Sequence, residues 1–163
     1  MAASTLLTSL SYDSAKVRLY LGTERVTGFG PDTKITVTRS NDLVIPHVGT
    51  DGEVSLALSR NRTGTLEVTL QNTSSFNDWL AVFVRQADTT GLVSFPVVLE
   101  GSQGPYLTAI GWVQAVPALT YGAEVGDMTW TIGLLDCWLA PNQSSSLLNA
   151  ITGVVEGITG QSF

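Results

Sequence analysis

Val54-Ser55-Leu56-Ala57-Leu58-Ser59, then Arg60 to Gly64, then Thr65-Leu66-Glu67-Val68-Thr69-Leu70-Gln71 is the stretch that decides the fold. Val54, Leu56 and Leu58 alternate with Ser55, Ala57 and Ser59. Leu66, Val68 and Leu70 alternate with Thr65, Glu67, Thr69 and Gln71. A period of two marks a half-buried strand. Arg60-Asn61-Arg62-Thr63-Gly64 stands between the runs with a Gly at its end, so the pair reads as a long β-hairpin. The expected hairpin has an apolar face toward the core and an opposite face of Ser, Ala and Thr with one charge, Glu67. A slip of one residue would exchange the two faces completely.

Strand patterns extend in both directions. Val17, Leu19 and Leu21 alternate with polar neighbours, and Gly22-Thr23-Glu24 turns the chain into a short return strand from Val26 to Phe29. Ile35 and Val37 begin another strand. Asn41 to Gly52 reads as a loop ending in the turn dipeptide Asp51-Gly52. Beyond the hairpin, Phe76, Trp79, Leu80, Phe83, Val84 and Ala87 form the apolar stripe of a helix, here read as core packing. Ser75 and Asp78 have the spacing of a capping box, and Gly91 suits the stop. Leu92–Leu99 is a strand whose Pro96 places it at an edge or bulge. Leu107–Val116 and Met128–Leu139 are two more, joined by 117–126, a length open to a short hairpin. The expected unit is a mainly β domain over residues 11–140 with about seven strands and one flanking helix. Residues 1–10 form an N-terminal arm.

Residues 141–163 read as a C-terminal arm. Pro141 to Ser146 is linker chemistry, and Leu147, Leu148, Ile151, Val154, Val155 and Ile158 then make a second helical stripe. Gly153 and Gly157 each weaken a helix by about 1 kcal/mol relative to Ala, so this stripe needs a surface to dock on. The expected seats are a neighbouring subunit, first, or its own domain or an outer partner.

The composition excludes several functions. The chain has 163 residues, and only 13% are charged against 44% hydrophobic; it carries 20 Thr, 15 Ser, 17 Val and 16 Gly. Low charge with many β-branched residues points to an all-β protein with much of its surface covered by something other than water. All 8 Lys and Arg lie in residues 1–85, where 8 acids balance them; residues 86–163 hold 6 acids and no base, hence the net charge of −6. Nucleic-acid affinity comes mainly from basic clusters, and none is present. The single Cys137 excludes an internal disulfide and a cysteine zinc site. No signal peptide or membrane-length apolar run is visible, which implies a protein made and kept in the cytosol. The glycosylation-like triplets at Asn61, Asn72 and Asn142 read as chance in a chain rich in Ser and Thr.

Catalytic chemistry is not marked. His47 is the single histidine, follows Pro46, and has no Gly-x-Ser-x-Gly elbow to serve, so it reads as a loop residue. Asp51 and Glu53 flank a turn Gly without the series of a calcium loop. Gly28-Phe29-Gly30 lacks the rest of a phosphate loop. Trp79, Trp112, Trp130 and Trp138 could line a sugar site, but Trp79 is on the helix stripe and the others stand in predicted strands, where core packing is the default. The expectation is a non-enzyme without cofactor, catalytic residue or metal site. The unguarded strand edges suit assembly, closed as a ring or open as a filament.

An ordered series carries a resemblance. It runs Ser11-Tyr12-Asp13, Lys16-Val17, Thr27-Gly28-Phe29, Val48-Gly49-Thr50-Asp51-Gly52-Glu53-Val54-Ser55, Thr63-Gly64-Thr65-Leu66, Leu70-Gln71-Asn72-Thr73-Ser74 and Asn77-Asp78. Over about residues 9–138 the chain resembles the inner tail tube proteins of contractile-tailed bacteriophages. The resemblance implies a tail-tube-type β-barrel or sandwich with a long hairpin and a flanking helix. It implies homo-hexameric rings stacked into a tube, with a tail sheath around it and a baseplate and tail terminator at its ends. Viral DNA would pass through the lumen without specific binding, in a virion tail assembled in the host cytoplasm with no membrane anchor. On this reading Ser55, Ser59, Thr65, Glu67, Thr69 and Gln71 face the lumen, and the stripe Leu147 to Ile158 is a subunit interface. The alternatives are a baseplate or tube-completion ring protein of the same fold, or a non-enzymatic β-sandwich ligand-binding module.

Overall fold

The computed structural model describes residues 14–31, 34–101 and 104–139. The predicted N-terminal arm and the stripe Leu147, Leu148, Ile151, Val154, Val155 and Ile158 lie outside the described residues. After a 3-10 turn at Ser14–Lys16 come β1 (Arg18–Leu21), β2 (Glu24–Arg25), β3 (Ile35–Arg39), β4 (Val44–Val48), β5 (Val54–Leu58) and β6 (Gly64–Gln71). The helix α1 (Phe76–Thr90) follows, and β7 (Phe95–Gly101), β8 (Gly104–Ala115) and β9 (Asp127–Leu134) complete the order. The fold is mainly β and antiparallel with one α-helix, as expected. One sheet of seven strands runs β2-β1-β7-β8-β9-β6-β3, and β4 and β5 form a second, two-stranded sheet. The segment Val26–Gly30 links the two ends of the large sheet. Val26 N–H donates to Leu19 at 2.8 Å, Gly30 N–H donates to Thr69 at 3.0 Å, and Gln71 N–H donates to Gly28 at 2.8 Å. The sheet curls without closing into a barrel, because β2 and β3 remain its edges.

Alternation sorts the large sheet as the pleat requires. Leu19, Leu21, Leu66, Val68, Leu70, Val97, Leu107, Trp130, Ile132 and Leu134 are buried on one face. The helix covers this face with Phe76, Asn77 and Leu80 buried, and Trp79 meets Phe95 edge-on with ring centroids 5.8 Å apart. Trp130 Nε1 donates to Asn77 Oδ1 at 2.9 Å, and Asn77 Nδ2 donates to the Gln71 carbonyl at 2.9 Å. That buried amide ties the helix start to two strands, a role its exposed-looking place in the sequence does not signal.

The expected hairpin of 54–59 with 65–71 does not form; both runs lie on one arm of a different hairpin. β5 does not pair with β6. It pairs with β4, Val44 opposite Leu58 and Val48 opposite Val54, while β6 pairs with β3, Ile35 opposite Val68 and Arg39 opposite Gly64. The two ladders are halves of one long hairpin whose arms are 35–48 and 54–71. Its turn is at Asp51-Gly52, where Gly49 N–H donates to Glu53 and Gly52 takes φ +83°, a conformation that favours glycine. Residues 59–63 are the neck between the two ladders, held by Ser59 N–H to Leu43 at 2.9 Å and Ser40 N–H to Thr63 at 3.0 Å. Five steps from Arg39 to Val44 face six from Leu58 to Gly64, so the neck carries one extra residue. The predicted loop Asn41–Gly52 therefore contains a strand. Pro46 within it is tolerated because a two-stranded ladder leaves each strand an open side.

Other corrections are local. β7 is interior, between β1 and β8; Pro96 stands just past the β1 ladder, which ends at Leu21 opposite Val97. The irregularity lies in its partner β8 instead: Leu99 faces Leu107 and Glu100 faces Pro105, which leaves Tyr106 as the extra residue. Ser75 makes no side-chain cap bond; Ser74 Oγ accepts from Phe76 N–H at 3.3 Å and donates to the Thr27 carbonyl at 2.8 Å. The stretch 117–126 contains no strand, and the return strand expected at Val26–Phe29 reduces to Glu24–Arg25 and a single bridge at Phe29.

Candidate assembly interface

Three surfaces converge on the long hairpin. The first is its outer half. Residues directly opposite share a face, so Val44 with Leu58, Pro46 with Leu56 and Val48 with Val54 build one wholly apolar face. Ile45, Ala57, His47 and Ser55 make the other. Every residue of β4 and β5 is exposed, with Leu56 at 70% and Leu58 at 67%. The expectation that Val54, Leu56 and Leu58 enter the core of their own subunit is thus overturned. The physical reason is pairing: with β4 as partner, β5 projects past the large sheet, and no element of this chain among the described residues lies over it.

The second surface is the outer face of the large sheet. Here the expected alternation of β6 holds: Leu66, Val68 and Leu70 are buried, while Thr65, Glu67, Thr69 and Gln71 point away from the core. Register adds neighbours that sequence spacing alone did not supply. Thr36 and Thr38 stand opposite Glu67 and Thr65, and Thr131, Thr129 and Asp127 stand opposite Glu67, Thr69 and Gln71. Thr69 and Thr129 share a hydroxyl hydrogen bond at 3.1 Å. The patch has hydroxyl groups, two carboxylates and one cation at its rim, Lys34, which stands opposite Thr69 in the row of Thr36 and Thr38 and whose carbonyl accepts from Thr69 N–H at 3.0 Å. Ser55 and Ser59 do not belong to it. Ser55 is on the outer hairpin beside His47, and Ser59 is in the neck.

The third surface is a cavity of about 960 Å³ at the neck, lined by Arg39, Leu58, Arg60, Arg62, Asp136 and Trp138 among others. Arg62 pairs with Asp136 at 3.6 Å on the surface, and Arg39 Nη2 donates to the Asn61 carbonyl at 3.0 Å. Cys137 is buried beneath, its sulfur against Gly64, where any Cβ would come within 2.5 Å of the Cys137 Cβ. Burial pushes the Cys137 thiol above its ordinary range; nearby Arg39 opposes this and Asp136 adds to it. Among the tryptophans, Trp130 is buried as expected, but Trp138 follows β9 and is 64% exposed. Among the described residues no group of three or more His, Cys, Asp or Glu is placed to hold a metal, and no helix is long and apolar enough to cross a membrane.

No protein-family model matches the chain, and no curated protein matches it. Among solved structures, the chain is similar to the anti-feeding prophage cap, the AFP tube terminating cap determined by cryo-EM. The identity is 10%, the match covers 80% of this chain and 94% of that one, and the TM-score is 0.49.

Proposed function

We propose that the chain is a non-enzymatic structural subunit that assembles through its hairpin into stacked hexameric rings, forming the inner tube of a contractile phage tail. The observation that carries this reading is the projecting hairpin with one face apolar throughout and exposed. An exposed apolar face of this length is a binding surface or an aggregation hazard. Covering its six side chains with another subunit would contribute on the order of 10 kcal/mol before ordering costs. The ordered sequence series supports the tube and its hexameric ring, with sheath, baseplate and terminator as partners. The hydroxyl-rich face of β3, β6 and β9 suits the bore: Thr65, Glu67, Thr69 and Gln71 would meet passing DNA beside two carboxylates and a single lysine, Lys34, without a basic cluster that retains phosphate. Electron microscopy and sedimentation of the purified chain test the proposal. Rings or tubes are expected once a preformed tube end is supplied as nucleus, with only monomers at high concentration in its presence as the result that sinks it. Single rings that do not stack would select the end-ring alternative. The exposed Trp138 at an arginine-bearing cavity favours the second reading, a ligand-binding module, which predicts a compact monomer.

A further inference from the structure

The apolar face of the outer hairpin has no cover among the described residues, and the chain itself supplies a candidate close by. Trp138, four residues beyond β9, lines the same neck cavity as Leu58, the last residue of β5. The described chain ends one residue later, at Leu139, so it leaves the domain at the base of the uncovered face. Residues 140–163 carry a single charged side chain, Glu156, and the stripe from Leu147 to Ile158.

The lengths agree. The linker 140–146 spans at most about 23–25 Å when extended. Five paired residues make the hairpin face about 17 Å long. Twelve helical residues, 147–158, make about 18 Å. Both surfaces are apolar, and neither sustains itself: the hairpin is two-stranded, and the stripe contains Gly153 and Gly157.

We propose that residues 147–158 lie on the face formed by Val44, Pro46, Val48, Val54, Leu56 and Leu58 of the same chain in the unassembled subunit. Sequence alone favours a neighbouring subunit for this stripe; the exit point of the chain at the hairpin base favours its own. The arm then occupies the surface that the tube reading assigns to the next subunit.

The test is disulfide trapping in the full chain with Cys137→Ser. Leu56→Cys with Ile151→Cys pairs the middle of the face with the middle of the stripe, so the direction of the arm does not matter. Ser55→Cys with Ile151→Cys is the control on the opposite face. The expected result is an oxidised monomer, bridged internally for the first pair and not for the second. A bridged dimer, equal bridging of both pairs, or no bridge overturns the proposal. Full-chain Ile151→Asp with Val154→Asp gives an independent reading that leaves the hairpin and core untouched: apolar-dye binding should rise several-fold, and unchanged binding overturns it. An internal bridge in a protein that never forms rings would remove the tube reading and leave the seat of the arm standing.

Discussion

Asn77 shows what a single buried polar residue does in this sheet protein. Its amide accepts from Trp130 and donates to the Gln71 carbonyl, joining α1, β9 and the end of β6. Asn77→Ala leaves the buried indole N–H without a partner, while the Gln71 carbonyl keeps Ser74 N–H at 2.9 Å, and should cost about 1–3 kcal/mol, read from urea unfolding. Cys137 yields a pH signature. Its raised thiol means the folded state holds the proton over a range where the unfolded chain has lost it. The contribution is complete below about pH 8.5 and is lost as pH rises toward the higher native value. Urea midpoints measured from pH 7 to pH 10 should therefore fall more steeply for the native chain than for Cys137→Ala. At this scale the sequence was partly legible. The alternating leucines and valines of β6 announced their burial, whereas Asn77 did not, because its partners lie in elements brought together only by folding.

Elements separate local chemistry from pairing. The helix was readable from its stripe, yet its cap lies one residue earlier than spacing implies, at Ser74, whose hydroxyl also reaches Thr27. Ser74→Ala should cost about 1 kcal/mol, and Ser75→Ala should stay within about 0.5 kcal/mol; paired thermal melts distinguish them. The hairpin is the sharper case. Both Asp51-Gly52 and Thr63-Gly64 offered turn chemistry, and the stronger alternation beside the second made it look like the turn. Since no residue of the described domain packs over β5, Leu56→Asp in a chain truncated after Asn142 should change stability by less than about 0.5 kcal/mol. It should nevertheless abolish rings or tubes in sedimentation, as expected of a residue that faces a partner rather than a core.

For the whole molecule, the proposed function rests on two faces of one long hairpin system. The inner half contributes the centre of a threonine-rich sheet face bearing Glu67 and Asp127. The outer half contributes an apolar blade. Thr69→Lys should leave the subunit folded and able to assemble but place a ring of positive charge in the bore; particles carrying it should eject DNA slowly, measured as a drop in infectivity at constant particle number. Tubes of this variant delivering DNA at the native rate would show that this face does not line the conduit.

The order of residues alone tells which of them can form strands, which face of β6 is apolar and where the helix runs. These are properties of neighbours along the chain, carried by periods of two and of 3.6 residues. Tertiary structure decided which strand each one pairs with. That choice set the turn at Asp51-Gly52, placed Val54, Leu56 and Leu58 outside the core, and brought Thr36, Thr38, Thr129 and Thr131 beside Thr65 and Thr69. Pairing is settled by register between distant segments, and alternation specifies a face of a strand without specifying what lies across from it.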